Sequence, residues 1–309
     1  MPIARFLNPK NDYAFKQIFG IEKNRDILIA FLNGILNLDG NDQVIDVTLL
    51  KTSQDREIAA YRRSIVDVLC RDQNNIQFIV EMQIDWHKGF EKRAQFYAAR
   101  AYSRQRIEED ENHKKMAIYA KLKGVIFIAI SDFILFPEKK EWVSEHRITD
   151  TNTYENDLKD FRFLFIELPK FKKTLAELTN ITEKWAYFFK HAEHTSLTEM
   201  EQLIGENVEL KRAFQVIDQA SWTEAQLLEY EDIEKEIMDA MAIEEAKLER
   251  AEAVGEARGI DKGIEKGIAE GEARSKIEIA KNLLLAGVSV DIISSSTGLS
   301  ILEIEKLKT

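Results

Sequence analysis

Asp67 stands in an apolar run, Ile65-Val66-Asp67-Val68-Leu69, and fourteen residues later Phe78-Ile79-Val80-Glu81-Met82-Gln83 carries a second carboxylate with a glutamine two positions on. A lone carboxylate in a buried strand costs on the order of several kcal/mol unless it is paired, hydrogen-bonded or bound to a cation. For either acid alone, the exposed face of an alternating strand is an equally good explanation. The two together point to a site for a hard cation. Because side chains alternate along a strand, Glu81 and Gln83 share a face, Val80, Met82 and Ile84 take the other, and Asp67 reaches the first if the register allows. Two carboxylates, the Met82 backbone carbonyl and waters make an incompletely filled set of oxygen ligands, which suits Mg²⁺ or Mn²⁺ better than zinc. The chemistry that follows is metal-assisted hydrolysis.

Just downstream, residues 88–106 carry Lys88, Lys92, Arg93, Arg100, Arg104 and Arg106 against the single acid Glu91. On a helix, Arg93, Tyr97, Arg100 and Arg104 fall on one face, a cationic stripe with an aromatic ring in it. Taken alone this is an ordinary solvated face. Beside an acidic metal site it supplies, with Lys92, cations for the phosphates of a nucleic acid.

The elements that must position these groups are legible from hydrophobic period and breakers. Asn11–Gly20 and Asn24–Asn37 read as helices, and Val44–Lys51, 63–71 and Ile76–Ile84 as strands, the last two joined by the turn-rich Asp72-Gln73-Asn74-Asn75. Ser53–Tyr61 is polar and reads as a loop. Phe90–Ile107 reads as an amphipathic helix, and Gly124–Ile130 and Phe161–Ile166 as strands, the first apolar enough to be buried on both faces. The mixture predicts an α/β core with helices on both sides of one sheet. After Lys170 the chain is rich in Glu, Ala and Leu and reads as helix. Ser221 and Glu224 resemble a capping box, and the helix they open is expected to run to Gly255. Glycines then recur every fourth residue, Gly255, Gly259, Gly263, Gly267 and Gly271, with charged residues between them. Such a stripe is expected to be a self-association helix rather than a linker. Three short helices are expected beyond it, from Lys276, Ser289 and Ser300, the last two as a protein-binding hairpin.

The overall charge of −11 is unevenly placed: residues 1–170 carry 26 basic and 26 acidic side chains, so all of the excess acidity lies beyond them. It does not count against nucleic-acid binding by the N-terminal part. No apolar run is longer than the six residues of Val125–Ile130, far short of the ~20 residues of a membrane span. The single cysteine, Cys70, cannot form an intrachain disulfide and reads as a core residue. A cytoplasmic protein without a membrane partner is expected. His191 and His194 lack an evident third ligand, and His87 reads as a loop residue without a role.

Several motifs occur together and in order: Asn11-Asp12-Tyr13-Ala14-Phe15-Lys16-Gln17-Ile18-Phe19-Gly20, Val66-Asp67-Val68, Val80-Glu81-Met82-Gln83, Arg93–Tyr102 and Phe165-Ile166-Glu167-Leu168-Pro169-Lys170. Together they resemble the Rpn family of recombination-promoting nucleases, also called transposases, within the PD-(D/E)XK nuclease superfamily. The resemblance covers about residues 8–171, and the glycine-repeat tail resembles that of the family as well. It implies a Mg²⁺-dependent DNA endonuclease acting on double-stranded DNA, linked to recombination or to defence against mobile DNA, with Asp67 and Glu81 on the metal. Gln83 stands where the superfamily has lysine, and glutamine can position a water but not take its proton. Asp12 is either an additional acidic site residue, as the superfamily often has on its first helix, or a helix N-cap. The expected organisation is a nuclease domain over 1–171, a helical region over 172–250, and a glycine-repeat helix with a C-terminal hairpin over 251–309 that oligomerises or regulates the enzyme. The alternative is a catalytically weak DNA- or protein-binding module acting through that tail.

Overall fold

The computed structural model describes residues 5–50, 66–86, 88–105 and 119–307. The expectations for Ser53–Tyr61, for a strand start at 63–65, for His87 and for a helix end at 106–107 lie outside the described residues. The chain forms two compact units, Met1–Lys235 and Glu236–Thr309.

The first unit is built on a six-stranded sheet in the order β1-β2-β3-β4-β6-β5. Its strands are β1 (Val47–Leu49), β2 (Val68–Asp72), β3 (Gln77–Gln83), β4 (Val125–Ser131), β5 (Val143–Arg147) and β6 (Phe161–Glu167). Strands β3, β4 and β6 run parallel, while β1, β2 and β5 extend the sheet antiparallel at its two edges. The edge strand β5 was not expected from the sequence. Its Ser144, Glu145, His146 and Arg147 dilute the apolar alternation, which an edge strand paired on one side tolerates. Strand β2 starts at Val68, so Asp67 precedes the strand instead of lying within it.

Helices α1 (Asp12–Phe19), α2 (Arg25–Leu36), α4 (Ile181–His191), α5 (Leu197–Ile204) and α6 (Val208–Val216) surround one core; α3 (Phe90–Ser103) forms another with the sheet. In the first core Val80, Met82, Ile128, Ile130, Leu164 and Ile166 pack with aromatic rings from the helices. Phe19 and Phe31 lie 5.0 Å apart, and Phe31 meets Trp185 edge-on at 5.5 Å. The helices beyond residue 171 thus share a core with the first two. On the other side, Ile79, Phe127, Ala129 and Phe165 pack against Phe90, Ala94 and Ala98 of α3. Cys70 is fully buried in the first core, and burial pushes its thiol up to about 12.

Helix α7 (Glu224–Leu285) passes through all five repeat glycines, where the sequence suggested a stop at Gly255. Glycine costs a helix about 1 kcal/mol each relative to alanine. The intervening Glu, Lys, Arg and Ala residues are strong helix formers, and pairs such as Lys266–Glu270, four residues apart, add to them. The expected first tail helix from Lys276 is therefore the end of α7. The N-terminal box is also displaced: Thr223 and Gln226 exchange the capping hydrogen bonds, and Ser221 instead donates to backbone carbonyls. In the second unit Ala280, Ile293 and Ile304 form a small core between the end of α7, α8 (Val290–Thr297) and α9 (Ile301–Glu305). Gly287 and Gly298 make the two turns at φ of 77° and 74°, a region that only glycine enters without strain.

Candidate active site

Strand β3 outruns its antiparallel neighbour. Pairing with β2 ends at Val68 opposite Val80, whereas pairing with β4 continues through Glu81 opposite Ala129 and Gln83 opposite Ser131. Gln77 N–H donates to the Gly124 carbonyl and Asp132 N–H to the Gln83 carbonyl, so the odd-numbered residues of β3 bond to β4. The N–H and carbonyl of Met82 consequently turn toward the side where β2 has not yet begun. Asp67 fills that gap, its Oδ2 accepting from Met82 N–H at 2.9 Å. Glu81 lies on the α3 face with Gln83, whose Nε2 donates to Glu81 Oε2 at 3.2 Å. Arg93, on the first turn of α3, donates from Nη2 to Gln83 Oε1 at 2.5 Å and approaches Glu81 Oε2 at 3.5 Å. Its guanidinium lies 4.9 Å from the Phe90 ring centre, and its Nε–H is buried without an acceptor.

Helix α1 closes the other side. Its N-cap is Asn11, whose side chain accepts from Tyr13 N–H at 2.9 Å and Ala14 N–H at 3.3 Å, so of the two roles open to Asp12 the cap is excluded. Asp12 is instead the first helical residue, close enough to Asp67 to raise its pKa. Lys16, one turn on, holds Asp12 Oδ2 at 2.7 Å and stands 3.8 Å from Asp67 Oδ1. Sequence reasoning passed over Lys16. The available signal was the i, i+4 spacing from Asp12, opposite the buried Ala14, Phe15 and Ile18 of the same helix.

The electrostatics follow from burial. Asp67 is pushed up to about 7, first by burial and then by the Asp12 charge, with Lys16 and the Met82 N–H pulling it back. Glu81, 2% exposed, is pushed up to about 8 by burial and then by Asp67, with Arg93 and Lys16 opposing. The native fold therefore holds these protons more tightly than the unfolded chain, where the groups ionise near 3.8 and 4.5. Below that range both states are protonated and the pair is without effect on stability. As pH rises the unfolded chain ionises first, and stability falls until the folded groups ionise near 7 and 8. Glu81→Gln should reduce the stability lost between about pH 5 and pH 8 by about 3–4 kcal/mol in urea unfolding. An unchanged pH dependence would contradict this electrostatic picture.

The cationic stripe divides. Arg93 and Tyr97 face the carboxyl pair: Arg93 contacts Glu81 and Gln83, and Glu81 and Asp67 both raise the Tyr97 phenol, after burial, while Arg93 and Arg100 lower it. Arg104 is the C-cap of α3, and Lys92 is exposed. His191 is half-buried with its ring 4.5 Å from Tyr187.

The Phe165–Lys170 motif has a structural explanation. Glu167, fully buried and in register with Ser131 and Gln83, accepts through Oε1 from the N–H groups of Leu135 at 2.7 Å and Phe136 at 3.0 Å. Lys170 donates at 2.7 Å both to Glu167 Oε2 and to the Phe136 carbonyl. This clamp fixes the loop after β4, whose Asp132 N–H holds the Gln83 carbonyl and whose Asp132 carboxylate pairs with Lys10 at 2.5 Å.

Two carboxylates at the end of a mixed sheet, a short acid-X-glutamine strand and an acid-bearing first helix are thus one assembly. A family model described as PD-(D/E)XK nuclease family transposase matches residues 9–246. The chain belongs to that family. No curated protein and no solved structure matches it. The family match extends over the helices that share the aromatic core and into α7, well beyond the motifs that carry the sequence resemblance. Among the described residues no helix is long and apolar enough to cross a membrane, and no three His, Cys, Asp or Glu side chains group to hold an ion. Two carboxyl groups and the neighbouring Met82 carbonyl make an all-oxygen lining in which burial disfavours ionisation without a cation, a donor set that fits a hard divalent ion.

Proposed function

We propose that the chain is a Mg²⁺- or Mn²⁺-dependent endonuclease that hydrolyses phosphodiester bonds of double-stranded DNA. The observation that carries this reading is the juxtaposition of buried Asp67 and Glu81 with raised carboxyl pKa values, side by side at the open end of β3. Asp67, Glu81 and the Met82 carbonyl would hold the cation. When bound there it would supply Lewis-acid polarisation of a phosphoryl oxygen and a more acidic water. Gln83 orients the attacking water through its amide and takes no proton. Arg93, its side chain about one third exposed (33%), offers its guanidinium to a phosphate oxygen, and Arg100, Arg104, Tyr97 and Lys92 extend the contact along the backbone. The family supports a role in recombination or in defence against mobile DNA.

The test is cleavage of supercoiled plasmid by the full chain with Mg²⁺, Mn²⁺ or chelator. Metal-dependent nicking is expected; intact plasmid with every ion would overturn the reading. One observation favours the alternative of a binding module: Arg93 occupies the Gln83 oxygen that would otherwise face a water. DNA binding without Mn²⁺ binding or cleavage would decide for it.

Helix α7 supports self-association. Ile260, Ile264 and Ile268 are each more than half exposed, and each follows a glycine with open space around it. A second copy would cover these isoleucines, and the glycines would allow close helix approach. Replacing all three isoleucines by glutamate in the full chain should lower the mass measured by light scattering to that of one chain. An unchanged oligomer would exclude this face, and a monomeric wild type would exclude self-association.

A further inference from the structure

Hydrolysis at this site would also build negative charge on the Asp67 side. On the Glu81 side Arg93 meets such charge. Gln83 is neutral and Tyr97 keeps its proton, raised by burial and by Glu81. Lys16 is the amine that faces Asp67, and its placement is rigid. Asn11 caps α1 and donates through Nδ2 to Glu234 Oε1 at 2.8 Å, while Ala14, Phe15, Ile18 and Phe19 anchor the inner face of the helix and are fully buried. The Lys16 side chain remains about one third exposed (31%), with Nζ between Asp12 and Asp67. Its field reaches Glu81 as well. The two carboxylates are therefore flanked by two cations on different helices, Lys16 on α1 and Arg93 on α3, and both cations are accessible to a phosphate.

We propose that Lys16 is a catalytic residue that donates hydrogen bonds to the non-bridging phosphoryl oxygen as negative charge builds on it. This assignment rests on the nuclease reading above. In the step it serves, the oxygen of a water forms a bond to phosphorus and the bond from phosphorus to the leaving nucleoside oxygen breaks. The water's proton passes to solvent, and the leaving oxygen takes a proton from solvent. Lys16 transfers no proton in this step and acts by preorganised charge.

The experiment compares full-chain wild type, Lys16→Met, Lys16→Arg and Lys16→Ala in plasmid cleavage with Mn²⁺, alongside Mn²⁺ calorimetry and DNA affinity. Lys16→Met is expected to cleave about a hundredfold more slowly, while binding Mn²⁺ at least as tightly as wild type, because a competing cation has left. Lys16→Arg should keep most of the activity, and ethylammonium ion should partly restore cleavage by Lys16→Ala. A Lys16→Met chain that cleaves as fast as an active wild type would overturn the assignment alone. So would loss of Mn²⁺ binding together with cleavage, which would make Lys16 a support of the metal site. A wild type inactive with every ion would instead overturn the nuclease reading, and the assignment with it.

Discussion

Glu81→Gln and Asp67→Asn should each slow plasmid cleavage by about a thousandfold, roughly 4 kcal/mol of transition-state stabilisation. Both changes keep the shape of the side chain, so packing in the sheet is preserved. Each would remove one negative oxygen ligand from the proposed all-oxygen set formed with the Met82 carbonyl. The same substitutions should raise stability near pH 8, since each removes a carboxyl that burial holds protonated above its ordinary range. Activity and stability therefore move in opposite directions, the signature of a site whose strain serves function. Urea unfolding and cleavage rates on the same preparations check this. A parallel fall in both would assign the pair to the fold instead of the chemistry.

Glu167→Leu carries the largest expected effect on stability. Its carboxylate is fully buried and holds two backbone N–H groups and the Lys170 ammonium, itself nearly buried. Removing one partner leaves a buried lysine and orphaned amides, a loss of about 3–5 kcal/mol. The loop after β4 would be released, and with it the Asp132 N–H that holds the Gln83 carbonyl. Cleavage should then fall even at temperatures where the chain remains folded. Adding Lys170→Met to Glu167→Leu should recover part of the stability, because the uncompensated charge has gone, but not the loop anchor. A single Glu167→Leu variant as stable as wild type, by urea unfolding, would show that the clamp is dispensable.

Much of the candidate site was legible in the sequence for a physical reason. A carboxylate inside an apolar strand conflicts with its surroundings, and Glu81 beside Val80 and Met82 is such a conflict. The basic face of α3 was equally visible because helical spacing fixes which side chains neighbour one another. Lys16 escaped because its approach to Asp67 spans 51 positions of chain, and an i, i+4 pair with Asp12 looks like ordinary helix solvation. The Met82 carbonyl was expected to line the site, but the bond from Met82 N–H to Asp67 depends on where β2 begins, which strand propensity could not place to the residue. Strand β5 escaped because edge strands need no apolar alternation. The continuation of α7 through five glycines shows local propensity outweighed by the formers between them. The clamp formed by Glu167 and Lys170 was seen as a motif, but its purpose needed the loop amides, which leave no trace in side-chain spacing.

Calorimetric titration of Mn²⁺ into the full chain, near pH 8 and without DNA, measures whether the buried carboxylate pair is a metal site independently of any substrate. The expected result is saturable binding by wild type that is lost in Glu81→Gln and in Asp67→Asn, with both variants folded. Binding absent from wild type at millimolar ion, or unchanged in the two variants, would contradict the assignment of Asp67 and Glu81 as its ligands.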